Sequence, residues 1–228
     1  MEKTMKISII ITLICAIFLS IFSIYLISYQ KEYENKQETK KEKYVYGKKT
    51  KIYAGSLFLL NFILGILLSF IYTGNSWMLN IKLLALISIL WPIGYIDYKY
   101  MKIPNKILLA GLYLRMICLT AETILYKKAV IKILFAEFLA AIVIFLICML
   151  LNFIMKNAVG IGDIKLLVLM ALYIGDSGII PAVVFSLFVS FFISVYFLIT
   201  GKKGKKDVIP FAPSILAGTY LSIFLLGI

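Results

Sequence analysis

The sequence predicts an all-α, polytopic integral membrane protein with about eight transmembrane helices. Three observations predict it: 62% of the 228 residues are hydrophobic, only 15% are charged, and the mean hydropathy is +0.99. Soluble domains contain about 45–50% apolar and about 25% charged residues. The composition therefore excludes a soluble enzyme, a disordered tail and a fibrous protein.

Apolar runs of membrane-spanning length recur along the whole chain. A spanning helix needs about 20 apolar residues, and eight runs approach that length. The predicted spans are Ile7–Ser28, Ile52–Tyr72, Met78–Ile96, Ile107–Leu125, Ile133–Met155, Ile164–Ile180, Ala182–Thr200 and Ala212–Ile228. The polar turn Gly175–Gly178 is all that separates the sixth helix from the seventh, and Pro181 between these spans is expected to kink or break the helix.

Lysine asymmetry predicts the orientation of these spans. The loops Tyr29–Lys51, Asp97–Lys106, Lys156–Asp163 and Gly201–Phe211 together hold 16 Lys, whereas the opposite side holds four. Lys and Arg accumulate in cytoplasmic loops, so the lysine-rich side is predicted to be cytoplasmic, with both termini outside. We therefore predict a multi-pass protein of the cytoplasmic membrane. This topology also accounts for the net charge of +13 without a nucleic-acid partner.

The first 51 residues are predicted to form a unit of their own. The apolar run Ile7–Ser28 is too long for a signal peptide and no small-residue cleavage site follows it, so we interpret it as a retained helix. The connector Tyr29–Lys51 mixes eight Lys with four Glu, which is typical of a solvated, partly helical segment near anionic headgroups. Residues 1–51 are thus a helix with a basic cytoplasmic connector, and residues 52–228 are the membrane-embedded core.

The cysteine and histidine content excludes several kinds of site. The three cysteines, Cys15, Cys118 and Cys148, each lie in an apolar run without a CxxC pair, and the chain has no histidine. A disulfide framework and a Cys/His zinc site are therefore not expected, and catalytic triads that use histidine are excluded. We expect neither a metal ion nor a cofactor.

Two acids at the predicted cytoplasmic edge of the membrane are the candidate catalytic residues. Asp97 ends the third span, and Asp163 begins the sixth within the sequence Gly160-Ile161-Gly162-Asp163. Acids at membrane depth are costly, so each needs an explanation. One interpretation is structural, with Asp163 as a helix cap and Asp97 as a surface acid.

The alternative interpretation is a catalytic pair. Two carboxylates at close range tend to share one proton, so one can take a proton from water while its protonated partner polarises a carbonyl. Gly160 and Gly162 lack a Cβ atom, which lets a peptide approach Asp163 closely. This arrangement requires no metal, histidine or other nucleophile, which suits the composition of the chain.

Three sequence blocks resemble the type IV prepilin peptidase family, which consists of GxGD-type membrane aspartic proteases. They occur in the order of the family: Asp97 with Ile103-Pro104-Asn105, then Gly160-Ile161-Gly162-Asp163-Ile164-Lys165-Leu166, then Ile209-Pro210-Phe211-Ala212-Pro213. The resemblance implies that Asp97 and Asp163 are the catalytic pair. It also implies that the residues around them shape the site, namely Gly160, Gly162, Lys165, Pro104, Asn105 and Pro210.

The resemblance also implies a substrate and an activity. Members cleave the short basic leader from prepilins and pseudopilins on the cytoplasmic side, after a Gly and before an apolar helix. Bifunctional members carry a zinc-binding insertion with paired CxxC motifs between their first two spans and also methylate the new N-terminus. Here the connector Tyr29–Lys51 occupies that place and has no Cys. We therefore expect a form with peptidase activity only.

Two alternatives belong to other function classes. A small transporter could relay protons or cations through Asp97 and Asp163, and a non-catalytic scaffold of a pilus or secretion machine would tolerate their loss. A presenilin-like protease shares GxGD, but its typical Tyr-Asp motif and Pro-Ala-Leu block are not found here, since Ile96 precedes Asp97.

Charged residues within the outer halves of the spans form a separate group. Arg115 and Glu122 are seven residues apart and so share one helix face, and with Lys132 and Glu137 they could form a rival active site or ion path. We expect ion pairs between neighbouring helices instead. Lys82 is expected to extend to the outer interface.

Overall fold

Seven helices make up the described part of the chain. The computed structural model describes residues 2–37, 48–72, 75–127, 129–155, 159–201 and 209–227, but not the side chains of residues 2–8, 29–37 and 48–51. The helices are α1 (Glu2–Gln37), α2 (Lys48–Phe70), α3 (Trp77–Tyr100), α4 (Asn105–Tyr126), α5 (Ala129–Ile154), α6 (Ile161–Ile199) and α7 (Ala212–Leu226). Six of them are long and apolar enough to cross a membrane, and α7 is a shorter apolar helix. The prediction of an all-α, multi-pass membrane protein is confirmed.

Helix α6 consists of two segments that meet at Gly175. This residue has φ +64° and ψ −163°, a backbone conformation that is open to glycine and strained for other residues. A straight helix would place Ser186 about 34 Å from Asp163. Instead, Ser186 packs against Gly218 in α7, whose first turn lies beside Asp97. With α6 divided in this way, the described chain has eight helical segments, which agrees with the predicted number.

The position of the break corrects one expectation. Pro181 lies inside the second segment of α6 rather than between two helices. The chain turns instead at the predicted polar turn, where the Ser177 N–H donates to Oδ1 of Asp176 at 2.9 Å. Of the predicted connector, residues 29–37 continue α1 and residues 48–51 begin α2, while residues 38–47 lie outside the described residues.

Helix α3 forms the centre of the bundle. It packs against α1, α2, α4, α6 and α7. Its middle, Leu83–Leu90, is completely buried. A helix that is apolar on all sides is surrounded either by lipid or by other helices, and α3 is surrounded by other helices. Because α3 ends in the turn that carries Asp97, this central packing fixes the height and direction of that carboxylate.

Polar contacts connect the helices that surround α3. The Trp91 indole donates to the Tyr220 hydroxyl at 2.8 Å, which in turn donates to Oδ1 of Asn61 at 2.8 Å. The Asn61 amide donates to the Ser20 hydroxyl at 3.2 Å. This chain of hydrogen bonds runs through α3, α7, α2 and α1. In a membrane, where apolar contact with lipid competes with helix packing, such bonds contribute to helix association.

Four buried charges, Lys82, Arg115, Glu122 and Glu137, form an ionic quartet. Lys82 pairs with Glu122 at 2.8 Å and with Glu137 at 2.7 Å, and Arg115 pairs with Glu122 at 2.9 Å and with Glu137. The predicted ion pairs of Arg115, Glu122 and Glu137 are thus confirmed. The expectation for Lys82 was wrong, because its side chain is 6% exposed and ends in the quartet. Lys132 is exposed on α5 and lies outside the quartet.

Replacement of Glu122 by Gln is expected to destabilise the fold strongly. The variant leaves two buried cations with one acid, and removal of one partner from a buried ion pair costs about 3–5 kcal/mol. Thermal unfolding in detergent measures the effect. Asp176→Asn is the matched control, since Asp176 is exposed and Asn retains the oxygen that accepts from Ser177. Similar unfolding temperatures for the two variants would contradict the structural role of the quartet.

Gly218→Ala is expected to separate α6 from α7. A Cβ atom at Gly218 would overlap the backbone nitrogen and Cα of Ser186, and overpacking of this kind typically costs about 1–3 kcal/mol. The control Gly55→Ala introduces a Cβ atom with nothing within 4 Å, so the better helix propensity of Ala stabilises it slightly. Opposite shifts in unfolding temperature are expected for the two variants, and shifts of the same sign would refute the close approach.

Candidate active site

Asp97 is held where the end of α3 meets the start of α7. Its side chain is buried, and Oδ2 accepts a hydrogen bond from the Ala212 N–H at 3.0 Å. The first N–H groups of a helix lack partners within the helix, and Ala212 is the first residue of α7. The N–H of Phe211 also faces the carboxylate. Asp97 therefore receives the free N–H groups and the positive dipole end of α7.

Asp163 lies in the first turn of α6, three residues after the N-cap Gly160. In this position an acid can accept from the backbone N–H of the cap residue, and the Gly160 N–H is directed at the Asp163 carboxylate. The preceding turn is fixed by Asn152, whose amide donates to the Val159 carbonyl at 2.9 Å and accepts from the Val159 N–H at 2.7 Å. Asp163 is thus the third helical residue rather than the cap that the structural interpretation expected, and this position is compatible with the catalytic interpretation.

The two acids share one cleft of about 390 Å³. Its lining consists of Asp97, Met101, Lys102, Ile103, Asn105, Gly160, Gly162, Asp163 and Lys165. The two carboxylates are close enough to interact electrostatically, although 66 residues separate them in sequence. Six of the eight residues expected at the site line this cleft together.

The two expected prolines lie next to the cleft rather than in its lining. Pro104 is the N-cap of α4, and its fixed φ suits the start of that helix. Pro210 precedes Phe211 and the first turn of α7. Both prolines therefore lie where a chain segment begins a helix beside the acids.

The segment between α3 and α4 packs directly on the start of α6. Met101 ends α3 with a left-handed backbone, φ +52° and ψ +42°, and its N–H donates to the Asp97 carbonyl at 2.8 Å. A Cβ atom at Gly162 would lie 3.1 Å from the Cβ atom of Ile103. The Lys165 ammonium donates to Oδ1 of Asn105 at 3.1 Å. These contacts hold the two acid-bearing segments side by side.

Sequence reasoning did not identify several residues of the site. Met101, Lys102 and Ile103 line the cleft, the Ala212 N–H donates to Asp97, and the Phe211 N–H faces the same carboxylate. Backbone N–H donors cannot be recognised from a sequence, and nothing in the sequence indicates that Met101 adopts a left-handed backbone conformation. The short segment between Asp97 and Pro104 was an indication that these residues lie at the site, because a segment of so few residues must stay close to the acid.

The cleft has the groups that acid–base chemistry on a water molecule requires. Two carboxylates face a polar cavity, and Lys102 and Lys165 lie at its exposed rim. Within the described ranges, no group of three Asp, Glu, His or Cys side chains is placed to hold a metal ion. One carboxylate can activate water while the other donates a proton.

Comparison with known proteins finds similarity over the part of the chain that carries both acids. The model of the type IV leader peptidase family matches residues 84–199, about half of the chain. The chain belongs to the type IV leader peptidase family. The match runs from the middle of α3 through α6, so both Asp97 and Asp163 fall within the part that type IV leader peptidases share. No solved structure gives a significant match.

One curated relative of this type IV leader peptidase family member is the prepilin leader peptidase/N-methyltransferase of Bacillus subtilis (strain 168). The two sequences are 30% identical over 136 residues, which is 60% of this chain and 52% of the relative. The chain thus spans about half the length of the curated relative that it matches.

Proposed function

We propose that this chain is a membrane aspartic endopeptidase that removes a short basic leader from prepilin-like or pseudopilin-like precursors. The observation that carries the proposal is the convergence of Asp97 and Asp163 in one polar cleft. The acids come from different helices, and family membership covers both segments. If Asp163 served only to cap a helix, Asp97 would not be needed beside it.

The proposed mechanism uses one water molecule and one shared proton. The ionised carboxylate takes a proton from water, and the resulting hydroxide attacks the carbonyl of the scissile peptide. The protonated partner donates its hydrogen bond to that carbonyl oxygen as negative charge develops there. Collapse of the tetrahedral intermediate returns a proton to the leaving amine, so the pair ends with one proton, as it began.

The location of the cleft fits a substrate that is itself inserted in the membrane. Asp97 ends α3, and Asp163 and Ala212 begin α6 and α7, so all three lie at one end of the bundle. We infer that this end faces the cytoplasm, because the lysine-rich loops adjoin it. A basic leader would then enter from the aqueous side, while the following apolar segment remains in the bilayer.

We further propose that the activity is limited to peptide cleavage. The connector Tyr29–Lys51 has no cysteine, so it lacks the thiolate ligands of the zinc-binding insertion expected in bifunctional members. The N-methyltransferase activity named for the Bacillus subtilis relative is therefore not carried over to this chain.

Loss of either acid is expected to abolish cleavage. Asp97→Asn and Asp163→Asn each remove a proton-transfer group, which typically contributes about 100- to 10,000-fold in rate. The assay uses purified protein in liposomes with a precursor that carries a basic leader, a Gly and an apolar helix. Asp176→Asn, which changes an exposed acid outside the cleft, is expected to cleave like the parent.

The same assay separates this proposal from the other function classes. A folded Asp97→Asn or Asp163→Asn variant that cleaves at the parental rate would remove that acid from the mechanism. If the parent cleaves none of the prepilin-like precursors encoded in its own genome, the endopeptidase proposal is wrong. Proton or cation flux in the same liposomes would then support the transporter.

Gly160→Ala is expected to reduce cleavage while the fold is retained. Gly160 has φ −64° and ψ 142°, which alanine adopts without strain, but the new Cβ atom would lie 2.9 Å from Oδ2 of Asp163. The carboxylate must move, and a displacement of about 1 Å can cost roughly 100-fold in rate. Initial cleavage rates and unfolding temperatures of Gly160→Ala and Gly55→Ala measure the effect. Equal rates for the two variants would contradict the proposed placement of Asp163.

A further inference from the structure

An apolar groove of about 440 Å³ lies between α4 and α6, next to the cleft. Its apolar lining consists of Leu108, Leu109, Leu112, Val168, Leu169 and Leu172. Leu108 and Leu169 are buried and form its floor, whereas Leu109 and Leu112 are 52% and 41% exposed. The groove therefore opens sideways, toward the surface that the bundle presents to lipid.

Polar contacts join α4 to α6 at both ends of this groove. At the cleft end, Lys165 donates to Asn105 at 3.1 Å. At the far end, Nε of Arg115, a member of the ionic quartet, donates to the Leu172 carbonyl at 2.6 Å. Lys165 and Leu172 are seven residues apart, which corresponds to about 10 Å along the helix. The groove is thus a preformed slot about two helical turns long.

The groove and the cleft are adjacent and share part of their lining. Asn105 and Lys165 line both of them. A second apolar cavity, of about 550 Å³, lies between α2, α3 and α7 and includes Tyr53, Trp91 and Tyr98 in its lining. None of the described residues that line this aromatic cavity also lines the cleft. Of these two apolar cavities, the α4–α6 groove is the one whose described lining residues continue into the lining of the cleft.

Charge at the junction decides which part of a substrate the groove suits. Lys165 lies where the groove meets the cleft, and Lys102 lies on the cleft rim. The ammonium group of Lys165 disfavours entry of a basic leader into the groove, whereas an apolar segment has no charge to be repelled. The walls beyond Lys165 are aliphatic, and burial of apolar side chains there is favourable. The groove therefore matches the chain on the apolar side of the cleavage point.

We propose that the α4–α6 groove binds the first two turns of the apolar segment that follows the scissile bond. This inference rests on the endopeptidase proposal and names the surface that recognises its membrane-inserted substrate. The segment enters sideways from the bilayer and packs on Leu112 and Val168. The peptide bond that precedes it then reaches Asp97 and Asp163.

The proposal can be tested by filling the groove with a larger side chain and comparing the cleavage of two substrates. Leu112→Trp occupies the slot with an indole. The substrates are a precursor with its complete apolar helix and a peptide that ends two residues after the scissile bond. The ratio of kcat/KM for the long substrate to that for the short one is expected to fall at least tenfold. The control Tyr113→Trp changes a neighbouring side chain that is 72% exposed and outside the groove, and it should retain the parental ratio.

Cross-linking from the groove gives a readout that does not depend on catalysis. A photoreactive residue is placed at position 112, 113 or 98 in the Asp163→Asn variant, and the long precursor is added in liposomes. Cross-links to the apolar segment from position 112, and far fewer from position 113, support the proposal. Cross-links chiefly from position 98 would overturn it in favour of the aromatic cavity, and equal yields from 112 and 113 would indicate lipid-like contact and also overturn it.

The two experiments separate failure of the groove from failure of the function. If the parent cleaves both substrates and Leu112→Trp retains the parental ratio, the groove assignment is wrong and the endopeptidase proposal stands. If the parent cleaves neither substrate but position 112 cross-links the precursor, the groove binds an apolar segment and the endopeptidase proposal is wrong.

Discussion

The burial of the Asp97 carboxylate constrains much of the structure. A buried acid is stable only when donors compensate for the lost water, and here the donors are backbone N–H groups at the start of α7. This contact requires α7 to begin beside the end of α3. Helix α7 then packs through Gly218 on the second segment of α6. Solvation of Asp97 thus joins α3 to α7, and the contact at Gly218 joins α7 to α6.

The ionic quartet stabilises the acid-bearing helices at the end that lies away from the cleft. Arg115 pairs with Glu122 and Glu137, whose charges it balances together with Lys82, and it also donates to the carbonyl of Leu172. That carbonyl lies in the last turn before the break at Gly175, where a helix runs out of its own N–H partners. One side chain therefore satisfies two acids and the end of a helix segment. The first segment of α6, with Asp163 at its start, is held at both ends.

The sequence predicted the features that depend on local composition. Hydropathy located the helices, and the resemblance to type IV prepilin peptidases implied that Asp97, Asp163, Asn105 and Lys165 belong to one site. The partners of buried charges could not be predicted in this way, since Lys82 meets acids from positions 40 and 55 residues further along. The break in α6 falls within the predicted polar turn, but the residue at which it occurs depends on backbone conformation. Proline removes one hydrogen bond, whereas Gly175 alone can adopt φ +64° without strain.

The arrangement of polar and apolar surfaces bears on how such a site could select its substrates. The cleft is polar and has cations at its rim, whereas the adjacent groove is aliphatic. The boundary between them lies at Lys165, one turn or less from Asp163. A membrane-inserted precursor has a matching boundary, where its charged leader meets its apolar helix. In the proposed endopeptidase, alignment of these two boundaries would place the scissile bond at the acids, so that polarity along the substrate, rather than an extended sequence motif, determines where it is cut.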